Sequence, residues 1–520
     1  MNNNLQMVYN YHNETKHSNQ KYAKSLGYMD WATQPNPYRN YIDSKQTILP
    51  LALNHDTLPY HMIFDENEKD IAPICLQSIS QLFQFSFGLA AIKVAGEQSW
   101  ALRCNASSGN LQPTEAYIIS QDIKGIDNGI HHYNVQNHNL ELLANTNTQL
   151  PLAKDSFLIA LSSIVWREAW KYGERSFRYT QLDCGHAQRA LEVSAYMLGW
   201  KIQKVEASED ELNSLIGFDQ KQRYCENERE DADVLFMVSK ISQSEQINIS
   251  LLRNCFATTY NSKANQLSNS WHDWDILNKI SNATKIQKLT LEKNTTKLNN
   301  QREQSYESKQ IILQRRSAQM MNPKDTNISF KDFDTIISSV SSSLDGNKIA
   351  VNLVFFIHDV QDLESGLYIL IRDIKYKNEI RKEFKNEFLW QEISTSQGRL
   401  FLLRKGDYRV FSKTISCNQD IAKDGAFSIG MIADFSNELN KHGASRYKEL
   451  YWECGSIGQQ LYLEATSLGL SATGIGCYLD DMFHNLLGIE NLSFQSLYHF
   501  TIGKGIFDSR LSTLEPYSNR

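Results

Sequence analysis

The segment KYGERSFRYTQLDCGHAQRALEVSAYMLGW (residues 171–200) returns 270 positions later as KHGASRYKELYWECGSIGQQLYLEATSLGL (441–470). The two align without a gap. Identical pairs are Lys171/Lys441, Gly173/Gly443, Cys184/Cys454, Gly185/Gly455, Leu191/Leu461, Ala195/Ala465, Leu198/Leu468 and Gly199/Gly469. Asp183/Glu453 and Arg178/Lys448 keep their charge. The register runs upstream to Phe157/Phe427 and Ile159/Ile429. Downstream, after one inserted residue, SLIGF (214–218) meets NLLGI (485–489). Two unrelated amphipathic helices would share apolar spacing; here glycines and charges match too, which marks a duplicated folding unit.

In each copy the apolar residues follow helical spacing: Ala187, Leu191, Ala195 and Leu198 in the first, Ile457, Leu461, Ala465 and Leu468 in the second. Gly199 and Gly469 stand where helices commonly end. Each half is therefore predicted to hold a buried helix closing at a Leu-Gly step. Around these helices lie β-rich runs: EAYIIS (115–120), ADVLFMVS (232–239), NKIAVNLVFFI (347–357), GLYILIRD (366–373) and LYHFTIG (497–503). Helices and strands mixed in this way imply an α+β fold. Residues 256–307, rich in Asn, Lys, Ser, Gln and Thr, read as a polar linker, partly helical at most. The expected division is an extended N-terminal arm (1–60), a first domain (61–255), the linker, and a second domain (308–520).

The chain has 520 residues, of which 41% are hydrophobic and 22% charged, as in ordinary globular proteins. Asp plus Glu (59) exceed Lys plus Arg (53), for a formal charge of −6. With no basic excess, nucleic acid is not the expected partner. No uncharged apolar run reaches the ~18 residues of a membrane span. The first residues are polar and lack the apolar core of a secretory signal. None of the eight cysteines forms a C-x-x-C pair. That pattern suggests a reducing compartment, the cytoplasm, with neither a disulfide framework nor a metal site.

Four segments could carry chemistry. In LRCNASSGNLQPTEAY (102–117), Ser107, Ser108, Gly109 and Asn110 place hydroxyls, an amide and backbone N–H groups on a turn that can approach a planar polar ligand. In QRRSAQMM (314–321), Arg315, Arg316 and Ser317 form a compact anion-binding candidate. In SATGIGCYLDD (471–481), Gly474 and Gly476 flank Ile475 on a turn open to a flat ring. The third glycine of a dinucleotide fingerprint is missing, which excludes a Rossmann reading. In HFTIGKGIFDSRL (499–511), Lys504 and Arg510 could complete a phosphate site. Separately, WREAWKYGERSFRY (166–179) is aromatic and basic, and its Lys171 and Tyr172 can exchange protons.

Taken together, SSGNLQPTEAY, WREAWKYGERSFRY, QRRSAQ, CNQDIA (417–422), ECGSIGQQLYLEA and YHFTIGKGIFDSRL resemble segments of the FMN-dependent nitroreductase superfamily. The likeness is to its SagB/ThcOx-type branch, the azoline dehydrogenases and their tandem relatives. YHNETKHSNQKYAKSLGYMDWATQPNPYRNY (11–41) is similar to the amino-terminal signature of the tandem group. The resemblance implies tandem nitroreductase-like domains forming an intramolecular pseudo-dimer. Family sites combine an R-x-S-x-R segment, a ring-contacting glycine and late basic residues from one subunit with a serine-rich turn from the other. By that pattern Arg315, Arg316, Lys504 and Arg510 would bind the FMN phosphate and Ser317 would help. Ser107, Ser108, Gly109 and Asn110 would hold the ring and ribityl chain. A backbone N–H near Ile475 or Gly476 would face the flavin N5 region, with Gln419 nearby.

For a second site, HDVQDLES (358–365) would be the counterpart of the serine turn and Thr15-Lys16-His17 that of R-x-S-x-R. Both are poor matches, so one working flavin site is expected. Two departures stand in the better site: Gln319 replaces the third basic residue, and Ala106 the proline before the serine pair. The remaining cations still suit a phosphate of about −2. The Lys-Tyr pair of azoline dehydrogenases corresponds to Lys171-Tyr172, implying proton removal from a small or peptide-derived heterocycle. Other readings are an NAD(P)H-dependent nitro or quinone reductase, and a non-catalytic flavin-binding protein. Oxygen or NAD(P)H would be the co-substrate.

Overall fold

Each repeat is built on one long helix. In the computed structural model these are Ser176–Met197 and Arg446–Ser467, each 22 residues. Both end at the Leu-Gly step, with Gly199 and Gly469 at φ +70°, a conformation a side chain would strain. The structure describes residues 3–53, 55–65, 70–146, 148–241, 247–287, 306–344 and 348–518.

The helices used below are α1 (Asn3–Glu14), α2 (Leu76–Ser86), α3 (Val165–Tyr172), α4 (Ser176–Met197), α5 (Glu209–Ile216), α6 (Phe330–Ser341), α7 (Phe435–His442), α8 (Arg446–Ser467) and α9 (Asp480–Leu487). The strands of the first repeat are β1 (Lys45–Ile48), β2 (Leu89–Ala95), β3 (Gln98–Arg103), β4 (Thr114–Ser120), β5 (Gly129–Asn134), β6 (Asn139–Asn145), β7 (Ser156–Ser163), β8 (Lys201–Lys204) and β9 (Asp231–Ser239). Those that follow are β10 (Val351–Ile357), β11 (Gly366–Leu370), β12 (Gln391–Ile393), β13 (Leu400–Lys405), β14 (Phe427–Asp434), β15 (Ser471–Ile475), β16 (Phe494–Gly503) and β17 (Ser512–Leu514).

Contacts divide the described residues into two units. One comprises 25–287, 306–313 and 511–518; the other comprises 3–24 and 314–510. Each holds a seven-stranded antiparallel sheet. The orders are β1-β6-β5-β4-β7-β9-β8 and β12-β13-β11-β10-β14-β16-β15, the same arrangement position by position. The central strands β7 and β14 are buried along their whole length, so both sheet faces are covered. One face of the first sheet packs Tyr117, Ile119, Leu158 and Leu235 against Leu212 and Leu215 of α5. Its counterpart packs Val354, Phe356, Ile369 and Ile432 against Phe483 and Leu487 of α9.

α5 starts at a reciprocal cap between Ser208 and Glu211 and stops at left-handed Gly217; α9 opens on Asp480 and Asp481 and stops at left-handed Gly488. Both satisfy helix ends in the usual way, with acids at the positive end and glycine at the other.

The edge strands differ in origin. β1 comes from the start of the first repeat, whereas β12 lies between β11 and β13 in the chain. The sheet order also corrects the expected counterpart of the serine turn. That turn precedes β4, and β10 takes the place of β4. Its counterpart is therefore the stretch before β10, of which 345–347 lie outside the described residues. HDVQDLES follows β10 and is a different connection.

The N-terminal arm is not extended throughout. α1 buries Leu5, Val8, Tyr9 and His12 at helical spacing, and His12 bonds Gln495 at 3.1 Å. The segment read as linker holds a helix, Asp275–Ala283, whose Leu277 and Ile280 are buried; residues 288–305 lie outside the described residues.

Candidate functional site

The first domain brings the serine turn and the Lys-Tyr pair together. Ser108–Asn110 make a single tight turn with Gly109 at φ +58° and Asn110 at φ +59°. Asp183, buried on α4, fixes it from below. Both Asp183 carboxylate oxygens lie 3.0 Å from the Ser108 N–H, and the Ser108 hydroxyl donates to Oδ1 at 2.9 Å. The Ser107 hydroxyl bonds the same carboxylate and accepts the Gln112 N–H at 2.9 Å. Asn110 Nδ2 donates to Ala101 O at 2.9 Å, and its Oδ1 accepts from Gln112 Nε2. The side chains expected to face a ring are thus engaged in building the turn.

α3 reaches this turn with its last two residues. A Cβ on Gly109 would lie 2.7 Å from the Tyr172 hydroxyl and 3.1 Å from Lys171 Nζ. The positive φ favours glycine here, and the two heads occupy the space its missing side chain leaves. The helix is held by its own WREAW residues. Trp166 Nε1 donates to Ser268, Trp170 Nε1 to Thr33, and Arg167 Nη1 to the Gln112 carbonyl at 2.6 Å and to Glu115 at 2.5 Å. Burial pushes the Tyr172 hydroxyl well above its ordinary pKa. It is therefore a proton donor, not an anion, near neutral pH. Beneath the pair lies Glu168, whose carboxyl burial and Asp183 hold well above the ordinary range.

The second domain gathers the basic and glycine segments on one strip. The stretch after Gln314 is extended, and Ser317 bridges Ala472 of β15. Ala318 N–H donates to Ala472 O at 2.9 Å, Asn322 N–H to Lys504 O at 2.7 Å, and Ile506 N–H to Met320 O at 3.0 Å. One strand-like segment is thus stitched between β15 and the residues after β16. SATGI is consequently a sheet edge and not the expected turn. Tyr462 of α8 is the hub: its hydroxyl lies 2.8 Å from Ser317 Oγ and accepts the Gly474 N–H at 2.8 Å. The buried Arg315 guanidinium lies 5.2 Å from the Tyr462 ring centroid. Arg316, part-exposed, donates to the Arg315 carbonyl at 2.7 Å.

The other predicted groups are placed as follows. Ile475 is buried in β15, and Gly476 follows it. Lys504 Nζ pairs with Asp325 at 2.5 Å. Arg510 is exposed and pairs with Asp508 at 2.7 Å. Gln419 Nε2 donates to Ser416 O at 2.8 Å and is 3.5 Å from Cys477 O. Lys16 pairs with Asp481 at 3.1 Å, and the Thr15 hydroxyl bonds the Tyr11 carbonyl.

Cys417 and Cys477 form a disulfide across 60 residues, contrary to the expectation from cysteine spacing. His17 Nδ1 lies 3.6 Å from Cys477 Sγ, and with the disulfide formed neither cysteine is a thiolate available to a metal ion. No spacing motif announced them, because they come from three separate segments. Tyr462 likewise carried no motif and sat unremarked on a helix face.

The nitroreductase family model matches residues 89–224 and 368–504, more than half of the chain and once in each domain. The chain belongs to the nitroreductase family. It is an oxidoreductase-family protein with two tandem nitroreductase domains, and the family is flavin-dependent. A protein of Methanocaldococcus jannaschii named as a nitroreductase is 24% identical over 138 residues, 25% of this chain and 66% of that protein. The trifolitoxin-processing protein TfxB of Rhizobium leguminosarum bv. trifolii is 30% identical over 108 residues, 18% of this chain and 29% of its own length. The chain thus spans less than two thirds of either relative. The solved structure of an Anabaena variabilis protein described as a nitroreductase has a TM-score of 0.70 at 19% identity. It covers 96% of this chain and 99% of its own, so the two share a fold over nearly their whole lengths. No helix among the described residues is long and apolar enough to cross a membrane.

Proposed function

We propose that this nitroreductase-family protein is an FMN-dependent SagB/ThcOx-type dehydrogenase that oxidises a small or peptide-derived azoline heterocycle to its azole. The observation that carries the reading is that the Lys171 and Tyr172 heads lie directly over the serine turn, in the space a side chain at Gly109 would fill. A likeness to a protein named for trifolitoxin processing supports a peptide-derived substrate. Cytoplasmic location, and oxygen or NAD(P)H as the co-substrate, remain part of the proposal. So does intramolecular pairing of the two domains, which rests on the sequence repeat.

The donor set of the second domain fits a flavin phosphate. Arg315 and Arg316 are adjacent, and Lys504 is tied by its carbonyl to the same strip. Their charge matches a phosphate dianion. Ser317 and the edge of β15, from Gly474 to Gly476, would lie beside them. When bound, the flavin supplies the two-electron chemistry. The chain's own task is the proton. Oxidation of an azoline removes a proton from ring carbon, and Lys171, in its uncharged amine form, is the group to accept it. Tyr172, kept protonated by burial, orients the heterocycle or passes the proton on.

Released flavin per purified chain, read from the visible spectrum, tests the cofactor assignment; about one FMN is expected. None after reconstitution would overturn it. Two would mean that both domains keep a site. Lys171→Ala should lower turnover on an azoline substrate roughly 100- to 10,000-fold with FMN still bound. Unchanged turnover in Lys171→Ala and Tyr172→Phe would refute the azoline mechanism. Rapid flavin bleaching by NAD(P)H would favour a nitro or quinone reductase instead.

A further inference from the structure

The 270-residue repeat provides an internal control for the carboxyls below the Lys-Tyr pair. Glu168 and Asp183 of the first domain correspond to Glu438 and Glu453 of the second. In the second domain each acid has its own cation. Glu438 pairs with Lys348 and, at 2.9 Å, with Arg446. Glu453 pairs with Arg372 and accepts the Ala350 N–H at 3.1 Å. Lys348 and Arg446 overcome burial and hold Glu438 below its ordinary range.

The first domain lacks these partners. Ser176 stands where the second domain has Arg446. Glu168 is fully buried, and among the described residues neither of its carboxyl oxygens has a hydrogen-bond donor. Its polar neighbour is the carboxyl of Asp183, whose other contacts are the N–H and hydroxyl groups of the serine turn. Two carboxyls can hydrogen-bond only if one carries a proton, and an unpaired buried carboxylate is costly.

We propose that Glu168 is a neutral acid that donates its proton to Asp183, and that this shared proton holds the serine turn in register with Lys171 and Tyr172. Both acids are positioning residues. The assignment deepens the proposed azoline dehydrogenase reading, since it concerns the support of its proton-transfer pair. The charged and titratable groups facing Glu168 are Asp183, Lys171 and Arg167; Tyr172 faces Glu168, Asp183 and Tyr179. Lys171 and Arg167 favour the charged form of Glu168, but burial and Asp183 outweigh them. Burial also raises Asp183 to about 7 against the pull of the two serines.

The sign follows from linkage. Between pH 4 and 7 the fold keeps protons that the unfolded chain releases, so stability declines as pH rises through about 7. The proton released near pH 7 is that of Asp183, which leaves Glu168 neutral and donating; losing the shared proton as well, at higher pH, would leave two buried like charges and loosen the turn.

The test uses the full chain without substrate, so it reads out whether or not the protein turns over an azoline. Glu168→Gln replaces an O–H donor with a permanent N–H donor. Its melting temperature at pH 6 should stay within about 2 °C of the parent, and its stability should fall less between pH 6 and 8.5. Glu438→Gln, losing two cations, should melt roughly 5 °C or more lower at pH 7. If Glu168→Gln is as destabilised at pH 6 as Glu438→Gln, Glu168 is ionised and the proposal fails. If Glu168→Gln does not fold, infrared difference spectra of the parent across the same pH range decide. A protonated carboxyl band that fades as pH rises supports the shared proton; its absence at pH 6 overturns it. Should the azoline reading fail for want of turnover while these results hold, the carboxyl pair stands on its own.

Discussion

Tyr462→Phe removes one oxygen atom and should disable the basic strip from a distance. The hydroxyl joins Ser317 Oγ to the Gly474 N–H, each at 2.8 Å, and thereby fixes the segment carrying Arg315 to the edge of β15. Two such bonds contribute about 2 kcal/mol together, and leaving the Gly474 N–H without a partner adds roughly 1–2 kcal/mol. The phenyl ring of the variant keeps the Arg315 stacking, so the loss is confined to the hydroxyl. A total of about 3 kcal/mol corresponds to a melting temperature lower by roughly 5–10 °C. If half of it appears as disorder of the strip before ligand binding, the FMN dissociation constant rises about tenfold. Thermal unfolding of the apo chain and fluorescence titration with FMN measure the two parts separately. A variant that melts within a degree of the parent and binds FMN equally well would refute the hub argument.

Gly474→Ala should fail for a different reason. Its Cβ would sit 1.8 Å from the Tyr498 hydroxyl and 2.7 Å from the ring carbon behind it, costing about 1–3 kcal/mol in chemical denaturation. Adding Tyr498→Phe should restore little, because the ring carbon still blocks. His132 lies buried between Glu115 at 3.1 Å and Glu141 at 2.9 Å, which together outweigh burial and raise it to about 9. Its contribution is complete below about pH 6.5 and lost as pH rises through about 9, so His132→Gln should flatten the fall in urea midpoint between pH 7 and 10. Cys417→Ser opens a loop with a sequence separation of 60 and should cost about 4 kcal/mol by the chain-entropy relation. A non-reducing peptide map should show the linked peptides, and free thiols at both positions would refute the pairing.

What could be read from the sequence follows the reach of each signal. The gapless 270-residue register identified α4 and α8 because helix periodicity and the closing glycine lie within one short window. The β-branched runs marked β4, β9, β10, β11 and β16 for the same reason. HDVQDLES is not the counterpart of the serine turn, because equivalence is set by strand position in the sheet and not by nearness in the chain. The turn's true counterpart depends on β10 occupying the place of β4, and that is set by its pairing with β11 on one side and with β14, some 70 residues or more away, on the other. Ser107 and Ser108 were legible as polar turn residues, but not as ligands of Asp183, since their partner is on α4. Cys417, Cys477 and Tyr462 escaped notice because each acts only through a residue far off in the chain.

The division of the described residues also bears on heredity. The chain's first helix belongs with the second repeat, where His12 bonds Gln495, while β17, close to the last described residue, pairs with β2 of the first repeat. A gene cut between the repeats would yield two polypeptides, each missing a piece encoded by the other. The first would bare the edge of β2, and the second would uncover the face that buries Leu5, Val8 and Tyr11. Once such an exchange of ends had occurred, the duplication could no longer be undone by simple fission. Any two-piece version would have to carry 3–24 and 511–518 across to the opposite fragment.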